Sequence, residues 1–217
     1  MTVGATWLAV LGTVAILCLY EVTLLLARRR NPEGLARSAH ATLREEWLTA
    51  VSSQAGSEIL AVQTLRNSLM SATMTASTAV LGLVGTVTLT TSTLHATFGG
   101  ATSGGAPEFT ARLALIFVLM ALLFASLVCS AMSVRYYNHA GFIVSMPVGS
   151  AQRRRWSAIG TSHMRRAGKL YSWGLRHLVL VGPILAAIVH PAAGPVVALV
   201  AVAVLSGFDR IPAALGP

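Results

Sequence analysis

Long apolar runs alternate along this chain with short polar stretches that carry most of its charges. The central run has no charged residue from Ser68 to Thr93, and it continues a more polar stretch that begins at Glu58. About 20 helical residues cross the hydrocarbon core of a bilayer, so this run is long enough to span it. The pattern predicts an all-α membrane protein, a bundle of four to five transmembrane helices in a single domain. The predicted spans are residues 7–27, 68–93, 111–134, 170–190 and 193–208.

The last apolar run is the shortest of the five. Val196 to Phe208 covers only about 20 Å as a helix, less than the ~30 Å of a hydrocarbon core. We favour a fifth span that is completed by the turn residues before it. A re-entrant or tilted hairpin is the alternative.

An amphipathic helix is predicted over residues 33–52. Asn31-Pro32-Glu33 is a typical helix start, because asparagine caps, proline fits the first helical position and an acid suits the first turn. Apolar residues then recur every four positions from Leu35 to Val51, and charged residues occupy the other face. We expect this helix to lie on the cytoplasmic side, on the membrane surface or on the bundle.

Composition and charge agree with a membrane protein and predict its orientation. Hydrophobic residues make up 54% of the chain, more than a soluble domain carries. The net charge is +9, yet only Arg112 of the sixteen lysines and arginines falls on the outer side of the predicted spans. The positive-inside rule then places the N-terminus outside and residues 143–168 in the cytoplasm, in the inner (plasma) membrane. The basic residues are explained as orientation signals and lipid-headgroup contacts, so the bilayer is the expected partner and nucleic acid is not.

Small residues follow one another along the second span at four-residue steps. Such a face lets another helix approach closely, and its hydroxyl groups can bond across the contact. The predicted helix-packing face consists of Ser68, Ala72 and Ala76 together with Ser71, Thr75 and Ala79. The third span carries similar residues at Ala121, Ala125, Ser126 and Ser130.

Polar side chains from four spans are expected at similar depth near the cytoplasmic boundary. Ionisable groups at such depth usually face the bundle interior and find one another. One interpretation is a polar site that opens to the cytoplasm, where arginines hold an anion. In the other, the groups mark span ends and satisfy each other, and Glu21 pairs locally with Arg28–Arg30 or snorkels. The candidates are Glu21, Gln63, Arg66, Asn67, Arg135, Asn138, His139, Arg176 and His177.

Other chemistry has little support in the sequence. His139 with His177, or His95 with His190, could meet at matched depth and ligate haem, but no two histidines are spaced as a metal-ligand motif. Nucleophile elbows, phosphate loops and paired catalytic carboxylates are absent from the sequence, so we predict no enzyme and no cofactor. The two cysteines, Cys18 and Cys129, are expected to be free thiols.

Three motifs resemble segments of an uncharacterised family of multi-pass membrane proteins found in bacteria and plants, classed as a domain of unknown function. The resemblance covers most of the chain and implies a helical membrane protein without a known activity. Six of the candidate polar residues fall within two of these motifs. The motifs are A-R-R-R-N-P-E-G at 27–34, L-A-V-Q-T-L-R-N-S at 60–68 and R-Y-Y-N-H-A-G-F at 135–142.

Three hypotheses for function follow. The first is a non-catalytic membrane subunit that self-associates, or joins a larger complex, through the small-residue face of the second and third spans. The second is a transporter or channel in which Arg66, Arg135 and Arg176 attract a small anionic solute. The third is a haem-bearing redox subunit.

Overall fold

The fold was obtained as a computed structural model that describes residues 2–30, 36–98 and 109–209, without the side chains of residues 28–30, 36–38 and 96. Among these residues the chain forms six helices. They are α1 (Val3–Arg30), α2 (Ala36–Ser53), α3 (Glu58–Phe98), α4 (Ala111–Val144), α5 (Ala151–Val189) and α6 (Ala193–Asp209).

Four of these helices are long and apolar enough to cross a membrane, namely α1, α3, α4 and α5. The prediction of an all-α membrane bundle is therefore confirmed. Helix α6 is apolar but has only 17 residues, or about 25 Å, so a complete fifth crossing stays a prediction. Helix α2 corresponds to the predicted amphipathic helix, whose first residues, 33–35, lie outside the described residues.

Three helices are much longer than the spans predicted within them. Helices α3, α4 and α5 have 41, 34 and 39 residues, so each is roughly 50–60 Å long, whereas a hydrocarbon core is about 30 Å thick. We expect their surplus length to project from the membrane on one side. With α2 it forms what we call the basic extension: α2 together with residues 58–68 of α3, 133–144 of α4 and 151–169 of α5.

Two apolar cores follow each other along the length of the bundle. The first joins α1, α4, α5 and α6, and it includes Val10, Leu119 and Ile184. The second joins α2 to α3, α4 and α5, and it includes Leu48 and Met164. Helix α2 thus packs on the bundle, which was one of its two predicted positions, and α4 and α5 are common to both cores.

Small residues bring α4 and α5 into close contact. The hydroxyl of Ser126 donates a hydrogen bond of 2.8 Å to the carbonyl of Gly174, and that of Ser133 donates one of 2.9 Å to the carbonyl of Ala167. A Cβ atom on Gly174 would overlap the buried hydroxyl oxygen of Ser130. Hydroxyl groups therefore do form hydrogen bonds between helices, as predicted for α3. In the structure, however, α4 donates these bonds and α5 accepts them.

Arg153 differs from the lipid-facing role predicted for the basic residues of this region. Its side chain is only 3% exposed, and its Nη1 donates hydrogen bonds to the carbonyls of Val144 (3.0 Å) and Met146 (2.7 Å). Its Nη2 donates to the hydroxyl of Ser52 on α2 at 3.3 Å. Arg153 thus ties the turn between α4 and α5 to α2, and the prediction of a headgroup contact is wrong for this arginine. Its sequence neighbours Arg154 and Arg155 are exposed.

Candidate functional site

A buried ionic cluster joins α1, α5 and α6. The Nε atom of Arg176 donates a hydrogen bond to Oε1 of Glu21 at 2.5 Å. Its Nη1 and Nη2 donate to the two carboxylate oxygens of Asp209, at 3.2 and 2.7 Å. The side chains of Arg176, Asp209 and Glu21 are 3%, 12% and 22% exposed. One guanidinium on α5 therefore holds a carboxylate from each of two other helices.

Tyr20 completes this cluster from α1. Its hydroxyl donates a hydrogen bond of 2.5 Å to Oδ2 of Asp209. Its ring lies under the guanidinium of Arg176, with 4.9 Å between the guanidinium carbon and the ring centroid. Tyr20 thus contacts both the cation and one of its counter-ions, and a cation–π contact that is shielded from water is stronger than an exposed one. We call Tyr20, Glu21, Arg176 and Asp209 the ionic cluster.

Arg176 and Glu21 lie within the apolar parts of α5 and α1, whereas Asp209 is the last residue of α6. Arg176 is about 20 Å along α5 from its end at Val189, and about 10 Å from Lys169, the next charged residue in the other direction. Glu21 lies inside the stretch Val3–Ala27 of α1, which is apolar enough to span a membrane. Charges at such depth are stable only when they are paired, so the ion pairs explain how the spans tolerate these residues.

Within the ionic cluster, the guanidinium of Arg176 is shared between two carboxylates. Two carboxylates face one guanidinium, and Oε2 of Glu21 is buried without a hydrogen-bond partner. Nε, Nη1 and Nη2 of Arg176 are all engaged by carboxylates, so its fork is not available to an anion. The hypothesis that Arg176 attracts an anionic solute gains no support from this arrangement, and transport itself stays a prediction.

The other predicted polar residues do not join this cluster. Gln63, Arg66 and Asn67 are exposed on α3, outside the face that α3 packs against α4. The residues from α4, which are Arg135, Asn138 and His139, are exposed as well. Of the nine candidates, only Glu21 and Arg176 form an ion pair with each other in the described residues. His177 is the sequence neighbour of Arg176. Glu21 therefore pairs across helices with Arg176, whereas the side chains of Arg28–Arg30 lie outside the described residues.

The histidines predicted as a haem pair lie far apart. The ring of His139 lies against that of His163 of α5 in a tilted arrangement, with 5.6 Å between ring centroids. His177 follows His163 by about 21 Å along the same helix, where it stacks on Trp173 at 5.7 Å. His139 and His177 are therefore not at matched depth, and that pairing is wrong. Within the described part of the chain, no three His, Cys, Asp or Glu residues are grouped as metal ligands.

His95 of the second proposed haem pair lines an open cavity of about 500 Å³ near the far end of α3. The cavity lies between α3 and α4, and its other lining residues are Thr91, Leu94, Phe98 and Phe117. Most of this lining is apolar. The pairing of His95 with His190 stays a prediction.

The predicted packing face of α3 is only partly buried. Ala72, Thr75 and Ala79 are covered within the chain, whereas Ser71 is exposed. The hydroxyl of Thr75 donates to the carbonyl of Ser71 in its own helix, at 3.0 Å, and not across a helix contact. The remaining two residues of the predicted face, Ser68 and Ala76, are half-buried.

Sequence reasoning missed Asp209 and Tyr20 as members of the site. Asp209 was not singled out in the sequence, although it follows a run of 16 helical residues without a charge. Arg176 could have indicated Asp209, because an arginine within an apolar stretch needs a carboxylate at the same depth. Tyr20 gave no such signal, since a tyrosine near a helix end is an ordinary interfacial residue.

Comparison with known proteins gives a family but no activity. The sequence model of the family described as "Protein of unknown function, DUF599" matches residues 8–214. Neither the curated proteins nor the solved structures contain a match to this chain.

Proposed function

The chain belongs to this family of proteins of unknown function, and we propose that it is a non-catalytic subunit of a membrane assembly in which two copies pack along the exposed side of α3. The proposal rests on one observation, the size and spacing of the side chains on that side. The proposal keeps the self-association that the sequence predicted, but it places the contact on the exposed side of α3 and not on the predicted helix-packing face.

A row of small and β-branched residues runs along the exposed side of α3, beside larger exposed residues such as Met74, Leu81 and Leu89. The residues of the row recur at alternating steps of four and three residues, the 3.5-residue repeat by which two helices supercoil around each other. Their positions are exposed in the single chain. We call this row the α3 seam: Thr73, Ser77, Val80, Val84, Val87 and Thr91.

The α3 seam differs from a side that merely faces lipid. The exposed side of α1 carries large leucines, such as Leu8, Leu11 and Leu19. Lipid tails solvate large apolar side chains well, whereas small residues favour close helix–helix approach in a membrane. The hydroxyls of Thr73 and Thr91 donate to carbonyls of their own helix, at 2.9 and 2.7 Å, so the seam presents methyl groups to a partner.

A second copy of the chain is the partner that this seam fits. The seam has no charged residue, and the same small side chains repeat along it, so it can pack against its own copy about a two-fold axis. Ala72, Thr75 and Ala79, which were predicted to make such a contact, are already buried within the chain and are not free for it.

We further propose that the basic extension lies in the cytoplasm and the N-terminus outside, in the inner (plasma) membrane. Exposed basic residues on the extension support this orientation, because cytoplasmic segments are enriched in lysine and arginine. They include Arg66, Arg135, Arg154, Arg166 and Lys169, whereas Arg112 lies at the opposite end of α4.

Disulfide cross-linking in membranes tests the contact. In a variant with Cys18 and Cys129 replaced by alanine, we expect Val84→Cys to form covalent dimers under mild oxidation, because the two seams meet at this residue. Leu19→Cys, an equally apolar and exposed position on α1, is the matched control and should stay monomeric. Equal cross-linking at the two positions, or none at Val84→Cys, would contradict the proposal.

A further inference from the structure

A second group of polar side chains lies on the outside of the bundle, where α4 and α5 meet in the basic extension. The ring of His163 is 5.3 Å from that of Tyr136 and 5.6 Å from that of His139, measured between centroids. The guanidinium carbon of Arg166 lies 5.9 Å from the centroid of the Tyr136 ring. Arg135 is exposed one helical turn before His139, on the same side of α4. We call these five residues the α4–α5 basic site.

Within the part of the chain that the structure describes, the positive charge of this site has no ion-paired acid. The charged neighbours that act on the ring of His163 are His139 and Arg166, which are both basic. Among the described residues, no acid forms an ion pair with Arg135 or Arg166. Four of the five described acids are engaged elsewhere: Glu21 and Asp209 with Arg176, Glu45 with Arg165, and Glu58 with the backbone N–H of Val148.

Unused hydrogen-bonding capacity accompanies this charge. Nδ1 of His163 is buried and has no hydrogen-bond partner. His139, Arg135 and Arg166 are exposed residues. The site therefore offers several donors and excess positive charge to a ligand with anionic oxygens, the ligand type that arginine forks bind best.

The depth of the site indicates where that ligand comes from. Helix α4 has no charged residue from Leu113 to Val134, which corresponds to about 33 Å of helix. That length matches a hydrocarbon core, so Arg135 and the rest of the site lie at the level of the lipid headgroups. Basic pockets between helices at this level are suited to phosphate-bearing headgroups.

We propose that the α4–α5 basic site binds the phosphate of an anionic phospholipid from the adjacent leaflet. Arg135 and Arg166 hold the phosphate oxygens, and His139 donates a further hydrogen bond. This proposal is independent of self-association, because the α3 seam lies on another helix.

Lipid retention by the purified full chain in mild detergent tests this proposal. Phosphatidylglycerol should remain bound in native mass spectra and raise the melting midpoint of the wild type, while phosphatidylcholine should do neither. In Arg135→Gln/Arg166→Gln, we expect the apparent affinity for phosphatidylglycerol to fall about tenfold or more, because two headgroup-level charges are lost. Arg154→Gln/Arg155→Gln removes the same charge from exposed positions on α5 outside the site, and it should keep wild-type retention.

Three results would overturn the proposal. They are equal loss of retention in both double variants, equal binding of the two lipids by the wild type, and a melting shift with millimolar inorganic phosphate as large as that with phosphatidylglycerol. If Arg135→Gln/Arg166→Gln does not fold, His139→Gln serves as the test variant. It should weaken the retention of phosphatidylglycerol, and unchanged retention would contradict the proposal. The comparison of the two lipids and of inorganic phosphate uses the wild-type protein alone.

Discussion

Replacing Arg176 with methionine is expected to lower the free energy of unfolding by about 3–5 kcal/mol, because it removes the guanidinium that two largely buried carboxylates share. Glu21 of α1 and Asp209 of α6 both form ion pairs with Arg176 of α5. Those two helices should therefore loosen from α5. Equilibrium unfolding in mixed detergent micelles measures the loss.

Two further variants separate the charge effect from a packing effect. Arg66→Met removes an exposed arginine of α3 and should change stability by no more than about 0.5 kcal/mol. Adding Glu21→Gln and Asp209→Asn to Arg176→Met neutralises both carboxylates, and it should recover most of the lost stability. If Arg176→Met behaved like Arg66→Met, the ionic cluster would not be the link between α1, α5 and α6.

Replacing Gly174 with alanine is expected to destabilise the protein by about 1–3 kcal/mol, the usual cost of forcing extra volume into a packed contact. The new Cβ atom would overlap the hydroxyl oxygen of Ser130 and lie 3.4 Å from the carbonyl oxygen of Ser126. Helix α4 would have to move away from α5 and lengthen the bond from Ser126 to the carbonyl of Gly174. The same unfolding measurement reports the effect.

Gly182→Ala is the matched control, since it makes the same substitution in the same helix with nothing within 4 Å of the new atom. It should be neutral or stabilise the protein by up to about 1 kcal/mol, because alanine is the better helix former. Combining Gly174→Ala with Ser130→Ala removes the overlapping oxygen and should restore most of the stability. A Gly174→Ala protein as stable as Gly182→Ala would show that the helices are not in close contact there.

The fold class could be predicted from the sequence because long uncharged runs are typical of helices that span a bilayer. Runs such as Leu113–Val134 have no charge over a length that only a bilayer, or a large core, can accommodate. The length of the helices could not be predicted from hydropathy, because their surplus turns carry many polar residues. In α5, Gly160, Met164 and Ala167 are buried among exposed arginines, so only a 3.6-residue pattern marks this part as a packed helix.

The candidate site could be predicted only in part, because depth along a span does not say which way a side chain faces. Glu21 and Arg176 are ionisable residues within apolar stretches, so each needed a partner, and they partner each other. Arg66 and Asn67 were grouped with them by depth alone. They lie off the face of α3 on which Ala61, Leu65 and Ala72 are buried, and this face could have been read from the helical period.

The family match confirms the resemblance stated from three motifs, although it gives no role to any residue. The distribution in bacteria and plants, the absence of catalysis and the identity of partners stay predictions. The ionic cluster and the α3 seam were not visible as units in those motifs, since both depend on which helices meet.

The central claim is that α3, α4 and α5 leave the bilayer on one side and build a basic extension there. Labelling with a membrane-impermeant maleimide tests it most directly, in the variant without Cys18 and Cys129. A cysteine at Ser157, which is exposed on α5, should react in inverted vesicles and not in intact cells, and a cysteine at Thr2 should do the reverse. If Ser157→Cys were labelled only in intact cells, the orientation would be wrong, and if it were protected on both sides, the extension would not exist.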